Sequence, residues 1–115
     1  GKGVYKWQDG TVYEGDFVND ARTGKCKITW KTGDYYTGDI VNGVQEGKGF
    51  FKWNDGTTYA GDWVNGYLHG YGIIKWPNGD VYKGEFAYGL MDGYGIYTYS
   101  DGYVEEGYWL NGEPI

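Results

Sequence analysis

Residues 59–72 read YAGDWVNGYLHGYG, and the order of this stretch determines the fold. Its first tyrosine recurs every 23 residues, at Tyr13, Tyr36, Tyr59 and Tyr82, and Glu105 takes the fifth position. Glycine occupies one column in all five periods, at positions 15, 38, 61, 84 and 107. An aromatic residue does the same at positions 7, 30, 53, 76 and 99. Self-similarity at a fixed period indicates a repeat architecture in which each unit packs against its neighbours.

The composition favours strands over helices. The 115 residues include 23 Gly, 14 Tyr and 6 Trp, and no stretch between glycines is longer than 8 residues. Globular helices average about 11 residues, and each interior glycine costs about 1 kcal/mol relative to alanine. The Tyr, Trp, Val, Ile and Thr residues between the glycines favour strands. We therefore predict an all-β chain with essentially no helix.

The turn that follows each aromatic column can be assigned from the sequence. After Trp53 the chain continues Asn54-Asp55-Gly56, which is typical of a three-residue hairpin loop with a type I turn and a G1-bulge glycine. This loop pairs Phe51 with Tyr59 and places the aromatic columns on one face, whereas a two-residue loop would separate them. On the other face, the same register predicts three ion pairs: Lys2–Asp16, Lys25–Asp39 and Lys48–Asp62.

The predicted fold is an elongated, single-layer, twisted antiparallel β-meander with one 23-residue hairpin per repeat. The chain divides into a partial repeat 1–12, full repeats 13–35, 36–58, 59–81 and 82–104, and a partial repeat 105–115. Because it begins and ends within a repeat, we expect it to be an excerpt of a larger protein. A single layer has no second sheet to pack on, so rings should lie sideways over glycines of their own face.

The first full repeat departs most from the pattern, because Asp20 and Cys26 replace glycines. Two explanations are open: the loop there differs in shape, or the strand carries a side chain where the other repeats have none. We further expect residues 44–46, 67–68 and 90–91 to lie in loops that vary between repeats.

The stretch 59–72 resembles the MORN repeat (membrane occupation and recognition nexus), whose motif is Tyr-x-Gly-x-Trp-x-x-Gly-x-x-x-Gly-x-Gly. The resemblance covers the whole chain. It implies a cytoplasmic protein, either free or associated with the cytoskeleton or a cilium, whose partners are peptides or helices. It also implies an alternative, a regulatory or membrane-targeting repeat region attached to an enzyme such as a lipid kinase or a methyltransferase.

No group of residues predicts catalysis. His69, the only histidine, is expected in a loop before Gly70, without the partners that a catalytic or metal site needs. Cys26, the only cysteine, fills a strand column that is otherwise glycine. The acids of another column recur at repeat spacing, which indicates a scaffold feature, whereas an active site occurs once. We predict a chain that is not an enzyme, with no catalytic residue, no cofactor and no metal.

The charge is uneven along the chain. Residues 1–53 hold eight Lys/Arg against seven Asp/Glu, a net of +1, and residues 54–115 hold two against nine, a net of -7. The lack of a basic patch argues against nucleic-acid binding and also disfavours binding to anionic lipid. A cluster of Lys25, Lys27 and Lys31 is the only feature that supports a phospholipid partner.

The aromatic face is the candidate partner-binding surface, because Trp and Tyr anchor interfaces and exposed apolar patches mark contact sites. A ring-lined sheet suits an apolar helix from a partner protein. The competing interpretation is that the rings are simply the core. Further alternatives are a homodimer and a glycan- or choline-binding ring ladder. The residues assigned to this surface are Trp7, Trp30, Trp53, Trp76, Tyr99, Tyr36, Tyr59, Tyr82, Trp63 and Phe86.

Overall fold

The computed structural model describes residues 1–115 as one antiparallel sheet of 11 strands in sequential order. The chain measures 46 × 23 × 18 Å along its principal axes, and the predicted all-β meander is confirmed. No helix long and apolar enough to cross a membrane is found. The strands are β1 (Lys2–Lys6), β2 (Val12–Val18), β3 (Ala21–Thr29), β4 (Tyr35–Val41), β5 (Val44–Lys52), β6 (Thr58–Val64), β7 (Tyr67–Lys75), β8 (Val81–Ala87), β9 (Leu90–Thr98), β10 (Val104–Leu110) and β11 (Glu113–Pro114).

The turn between β5 and β6 has the predicted three-residue form. The Trp53 N–H donates to the Thr57 carbonyl at 2.9 Å, and the Gly56 N–H donates to the Trp53 carbonyl at 3.0 Å. Gly56 has φ of +98°, the left-handed conformation that a G1 bulge requires. Phe51 therefore pairs with Tyr59 as predicted. The three predicted ion pairs, Lys2–Asp16, Lys25–Asp39 and Lys48–Asp62, are all present.

The other turn of each repeat is shorter than predicted. Residues 44–46, 67–68 and 90–91, which we expected in loops, begin strands β5, β7 and β9, and His69 lies within β7. The connection between β6 and β7 consists of Asn65 and Gly66 alone, with φ of +51° and +82°. Two positive φ angles define the type I′ turn that Asn-Gly favours, so the strand resumes at once.

The departures of the first full repeat are resolved in favour of the second explanation. Asn19 and Asp20 both have positive φ, at 49° and 66°, so the turn keeps its form with aspartate in the glycine position. Cys26 is buried within β3, where it faces Gly15 on one side and Gly38 on the other. The strand thus carries a side chain that the other repeats lack.

The core lies on one face of the sheet and consists of rings packed sideways, as predicted. Tyr59 is wholly buried, and its hydroxyl donates to the carbonyl of Asp62 at 2.9 Å. Its ring covers Gly72 of β7, where a Cβ atom would lie 2.5 Å from Tyr59 Cζ. Hydroxyl-to-carbonyl bonds of this kind recur at Tyr13, Tyr36 and Tyr82.

One carboxylate per repeat closes a bulge in the following strand. Between the Gly61–Gly72 and Trp63–Leu68 pairs, β6 contains one residue and β7 contains three. Oδ2 of Asp62 accepts the Tyr71 N–H at 3.1 Å, and Gly70 has φ of +96°. The recurring acids thus stabilise the bulge, and three of them also pair with lysines. The equivalent carboxylates that accept a bulge N–H belong to Asp16, Asp39 and Glu85.

The aromatic face as candidate binding site

Five of the ten aromatic residues assigned to partner binding lie inside the core. Their rings meet edge to face in a continuous row. The ring centroid of Trp63 lies 5.3 Å from that of Tyr36 and 5.4 Å from that of Tyr59. Because neighbouring strands and rings cover them, they present no surface to a partner, and the candidate site narrows to the other five residues. The buried set, with exposed fractions, is Tyr36 0%, Tyr59 0%, Tyr82 0%, Trp63 3% and Phe86 4%.

The other five residues form a half-exposed layer outside this core, the outer rings: Trp7, Trp30, Trp53, Trp76 and Tyr99. The ring of Phe51 joins two of them, with its centroid 4.5 Å from Trp53 and 5.4 Å from Trp30. Tyr97 joins the next two, at 5.3 Å from Trp76 and 4.6 Å from Tyr99. The outer rings therefore pack on the core with one side and face solvent with the other.

This face carries a second column of side chains that was not anticipated from the sequence. We call it the graded column, and its members are Arg22, Gln45, Leu68 and Met91. Each member pairs across strands with a core position, as Leu68 does with Trp63 and Arg22 with Phe17, and Leu68 is itself largely buried, with 9% of its surface exposed. The 23-residue spacing was visible in the sequence. It was missed because the segments that carry Gln45, Leu68 and Met91 were expected to be loops. The chemistry along the column changes from a cation through an amide to two apolar side chains.

A cleft of about 320 Å³ lies at the N-terminal end of the face. Trp7 and Trp30 line it together with the first two members of the graded column, Arg22 and Gln45. The guanidinium carbon of Arg22 lies 4.9 Å from the centroid of the Trp7 ring. The cleft therefore combines the two indole rings with polar groups of both kinds, the donors of Arg22 and Gln45 and the carboxylate of Asp9.

His69 and Cys26 have structural surroundings. The His69 ring packs against Tyr88, with centroids 5.2 Å apart, and its Nδ1 accepts the Tyr88 N–H at 3.4 Å. Burial raises the pKa of the Cys26 thiol to about 11, so it is protonated at neutral pH and a poor nucleophile. No group of three His, Cys, Asp or Glu side chains is placed to hold a metal ion.

The three lysines that supported a phospholipid partner do not form one free patch. Lys25 is paired with Asp39, and the Lys27 ammonium lies 5.6 Å from the centroid of the Tyr35 ring. Lys31 is in the turn after β3, where its side chain packs near Gly10. Two of the three charges thus already have partners within the chain.

The geometry defines a class of protein, the elongated repeat scaffold built from β-hairpins. The sequence model of the MORN repeat matches five consecutive segments, residues 1–12, 13–35, 36–58, 59–81 and 82–102. The chain belongs to the MORN repeat family. Repeats of this family mediate protein or membrane-lipid interactions and are generally not catalytic. A search of curated proteins finds no match to the chain.

Proposed function

We propose that this array is a non-catalytic cytoplasmic scaffold that binds a helical segment of a protein partner along its aromatic face. The observation that carries the proposal is the row of outer rings, half exposed and anchored on a buried core. Rings held in this way lose little conformational freedom on binding. Trp and Tyr are also among the residues that contribute most binding free energy at protein interfaces. The half-exposed members are Trp7, Trp30, Trp53, Trp76 and Tyr99.

The spacing of the array supports a helix lying along its long axis. One repeat advances by two strands, about 9.6 Å, because neighbouring strands lie about 4.8 Å apart. Seven residues of an α-helix advance by about 10.5 Å. One helical heptad therefore matches one repeat, and a helix of about four heptads spans about 42 Å, close to the 46 Å length of the chain.

The charge distribution favours a protein partner over an anionic membrane. The half of the chain from residue 54 onward carries two lysines against nine acids, a net of -7. Such a surface repels anionic lipid within a Debye length, about 8 Å at physiological salt. A neutral or mixed-charge helix experiences no such barrier and still buries its apolar side chains against the outer rings.

The proposal is tested by capturing proteins from cell lysate on three immobilised forms of the chain. These are the parent, the double variant Trp53→Ala/Trp76→Ala, and the control Tyr71→Ala/Tyr94→Ala. The control removes two rings from the opposite face, where Tyr71 is 56% and Tyr94 is 40% exposed. Circular dichroism establishes that all three forms are folded. Captured proteins are identified, and the bound segment of each is mapped and synthesised.

The expected result is a segment that becomes helical on binding, is held by the parent and the control, and is lost with Trp53→Ala/Trp76→Ala. Equal capture by all three forms would remove the aromatic face from the interaction. Capture of nothing, together with binding to glycan arrays or lipid vesicles, would replace the protein partner by one of those ligands.

A further inference from the structure

We infer that the partner segment carries a carboxylate near one end, and that Arg22 receives it in the cleft between Trp7 and Trp30. The inference rests on the proposed function and adds to it the chemistry of the partner and which of its ends lies at Arg22. It starts from Arg22, a cation set on the aromatic face among apolar rings.

The structure holds the Arg22 guanidinium in place. Its central carbon lies 4.9 Å from the Trp7 ring centroid and 6.0 Å from that of Tyr13. A Cβ atom built on Gly43 would lie 2.5 Å from a terminal nitrogen of the guanidinium, so that glycine leaves the space in which the group lies. The Arg22 carbonyl also accepts the Gly43 N–H at 2.9 Å. Because the guanidinium is held in this way, its N–H donors can bind an acceptor with little further loss of side-chain conformational entropy.

Arg22 forms no ion pair within the chain. All three ion pairs are formed by lysines, namely Lys2, Lys25 and Lys48. Two carboxylates line the clefts beside Arg22, those of Asp9 and Asp20, yet neither forms an ion pair with it. Oδ1 of Asp9 instead accepts the Thr11 N–H of its own turn at 2.9 Å. The half-buried Arg22 guanidinium is therefore partly desolvated and has no carboxylate in direct contact, and a bidentate carboxylate satisfies its donors best.

The cleft fits an acidic side chain better than a free anion. Trp7 and Trp30 supply apolar walls for the methylene groups of a glutamate, and Arg22 and Gln45 supply donors for its carboxylate. An inorganic anion would use the donors and leave the indole walls without contact. The occupant is therefore an acidic residue of the helix that the outer rings bind.

The graded column then fixes which end of that helix lies at Arg22, namely the end that carries the acid. From the N-terminal end of the array, the side chains at 23-residue spacing are Arg22, Gln45, Leu68 and Met91. With one heptad to each repeat, a matching helix places an acid, a polar residue and two apolar residues at successive seven-residue steps. A helix in the opposite order would place its acid against Met91 and an apolar residue against Arg22.

Synthetic helical peptides of about four heptads test the inference with the parent chain and two variants. In the probe peptide, one and the same heptad position carries glutamate in the first heptad, glutamine in the second, and leucine in the third and fourth. A matched peptide replaces the glutamate by glutamine. The variant is Arg22→Gln, and the control is Lys27→Gln, which removes one exposed cation from the opposite face. Affinity is measured by tryptophan fluorescence, and the Arg22 Nε–H signal is followed by NMR.

The parent and Lys27→Gln should bind the glutamate peptide about tenfold more tightly than the glutamine peptide, as a charge-assisted hydrogen bond predicts. Arg22→Gln should bind both equally, and the Arg22 Nε–H signal of the parent should shift only with the glutamate peptide. Equal binding of both peptides to the parent would overturn the role of Arg22 and leave the proposed function standing. Failure of both peptides to bind the parent would overturn both.

Discussion

The ring of Tyr59 covers the α-carbon of Gly72 on the neighbouring strand, so closely that a methyl group on the glycine would lie 2.5 Å from Tyr59 Cζ. This relationship lets a single sheet bury a tyrosine completely, because the ring lies flat where its neighbour has no side chain. The same contact joins Tyr36 to Gly49 and Tyr82 to Gly95. Glycine in this column is therefore part of the core.

The first prediction is that Gly72→Ala destabilises the chain by about 1–3 kcal/mol, the usual cost of overpacking a filled core. Gly72 is not among the glycines with positive φ, so the loss reports displacement of the Tyr59 ring. Urea unfolding of the parent and the variant measures it. Lys75→Ala, an exposed change in the same strand, is the control and should stay within about 0.5 kcal/mol. Equal effects of the two changes would show that the ring shifts freely.

The second prediction concerns the two partners of Asp62. Asp62→Ala removes both the ion pair and the acceptor of the Tyr71 N–H in the bulge, and should cost about 1–2 kcal/mol. Lys48→Ala removes only the ion pair with Asp62, in which the lysine side chain is 75% exposed, and should cost less than about 1 kcal/mol. Both are measured by urea unfolding. Losses of the same size would mean that the carboxylate acts mainly through the lysine.

The register was predictable from the sequence because one glycine per repeat determined the turn after each aromatic column. Gly56 at the G1-bulge position placed Tyr59 opposite Phe51 and Lys48 opposite Asp62, since side chains alternate strictly along a strand. The type I′ turn at Asn65-Gly66 had an equally clear signal in its dipeptide. It was missed because residues 67–68 and His69, which follow this turn, were expected to lie in a loop.

The candidate site was predicted only in part, because depth in a one-layer sheet depends on ring orientation. Tyr59 and Trp53 share a face and a period, yet Tyr59 is wholly buried and Trp53 is half exposed. Sequence assigns a residue to a face but does not say which ring lies over a glycine. Arg22 was missed for a different reason, since the other three members of its column lie in segments expected to be loops.

The third prediction is a loss of stability in alkali. Burial, with a smaller contribution from the Glu85 charge, raises the pKa of Tyr82 to about 12, and burial raises the pKa of Tyr59 still further. In the unfolded chain tyrosine ionises near pH 10. Above that pH the unfolded state releases protons that the folded state retains, so stability present below pH 10 should fall steadily towards pH 12.

Urea unfolding at intervals from pH 8 to pH 12, with absorbance at 295 nm to count tyrosinate, measures this loss. Tyr82→Phe should decline less steeply with pH than the parent, because one shifted group has been removed. Val104→Ala, at a position 50% exposed, removes no titratable group, so it is the control and should follow the slope of the parent. An unchanged slope in Tyr82→Phe would mean that this tyrosine ionises as readily in the folded chain as in the unfolded one.

The fourth prediction is that the chain is strained at Tyr88, where a substitution should stabilise it. Tyr88 takes the first position of a type I′ turn with φ of +51°, and the equivalent position in the other repeats is asparagine, as at Asn65. The left-handed conformation costs an ordinary residue about 1–2 kcal/mol, and asparagine adopts it more readily. Against this, the Tyr88 ring contacts Tyr67 and His69, with centroids at 5.9 and 5.2 Å.

Because Tyr88 is 73% exposed, these contacts recover only part of the backbone cost, and Tyr88→Asn should raise the free energy of unfolding by about 0.5–1 kcal/mol. The converse change, Asn65→Tyr, should lower it by a similar amount, since it introduces the same strain into an unstrained turn. Urea midpoints at an unchanged slope measure both effects. A loss of stability in Tyr88→Asn would show instead that the contacts with Tyr67 and His69 outweigh the backbone strain. These three rings would then form a stabilising cluster at this turn.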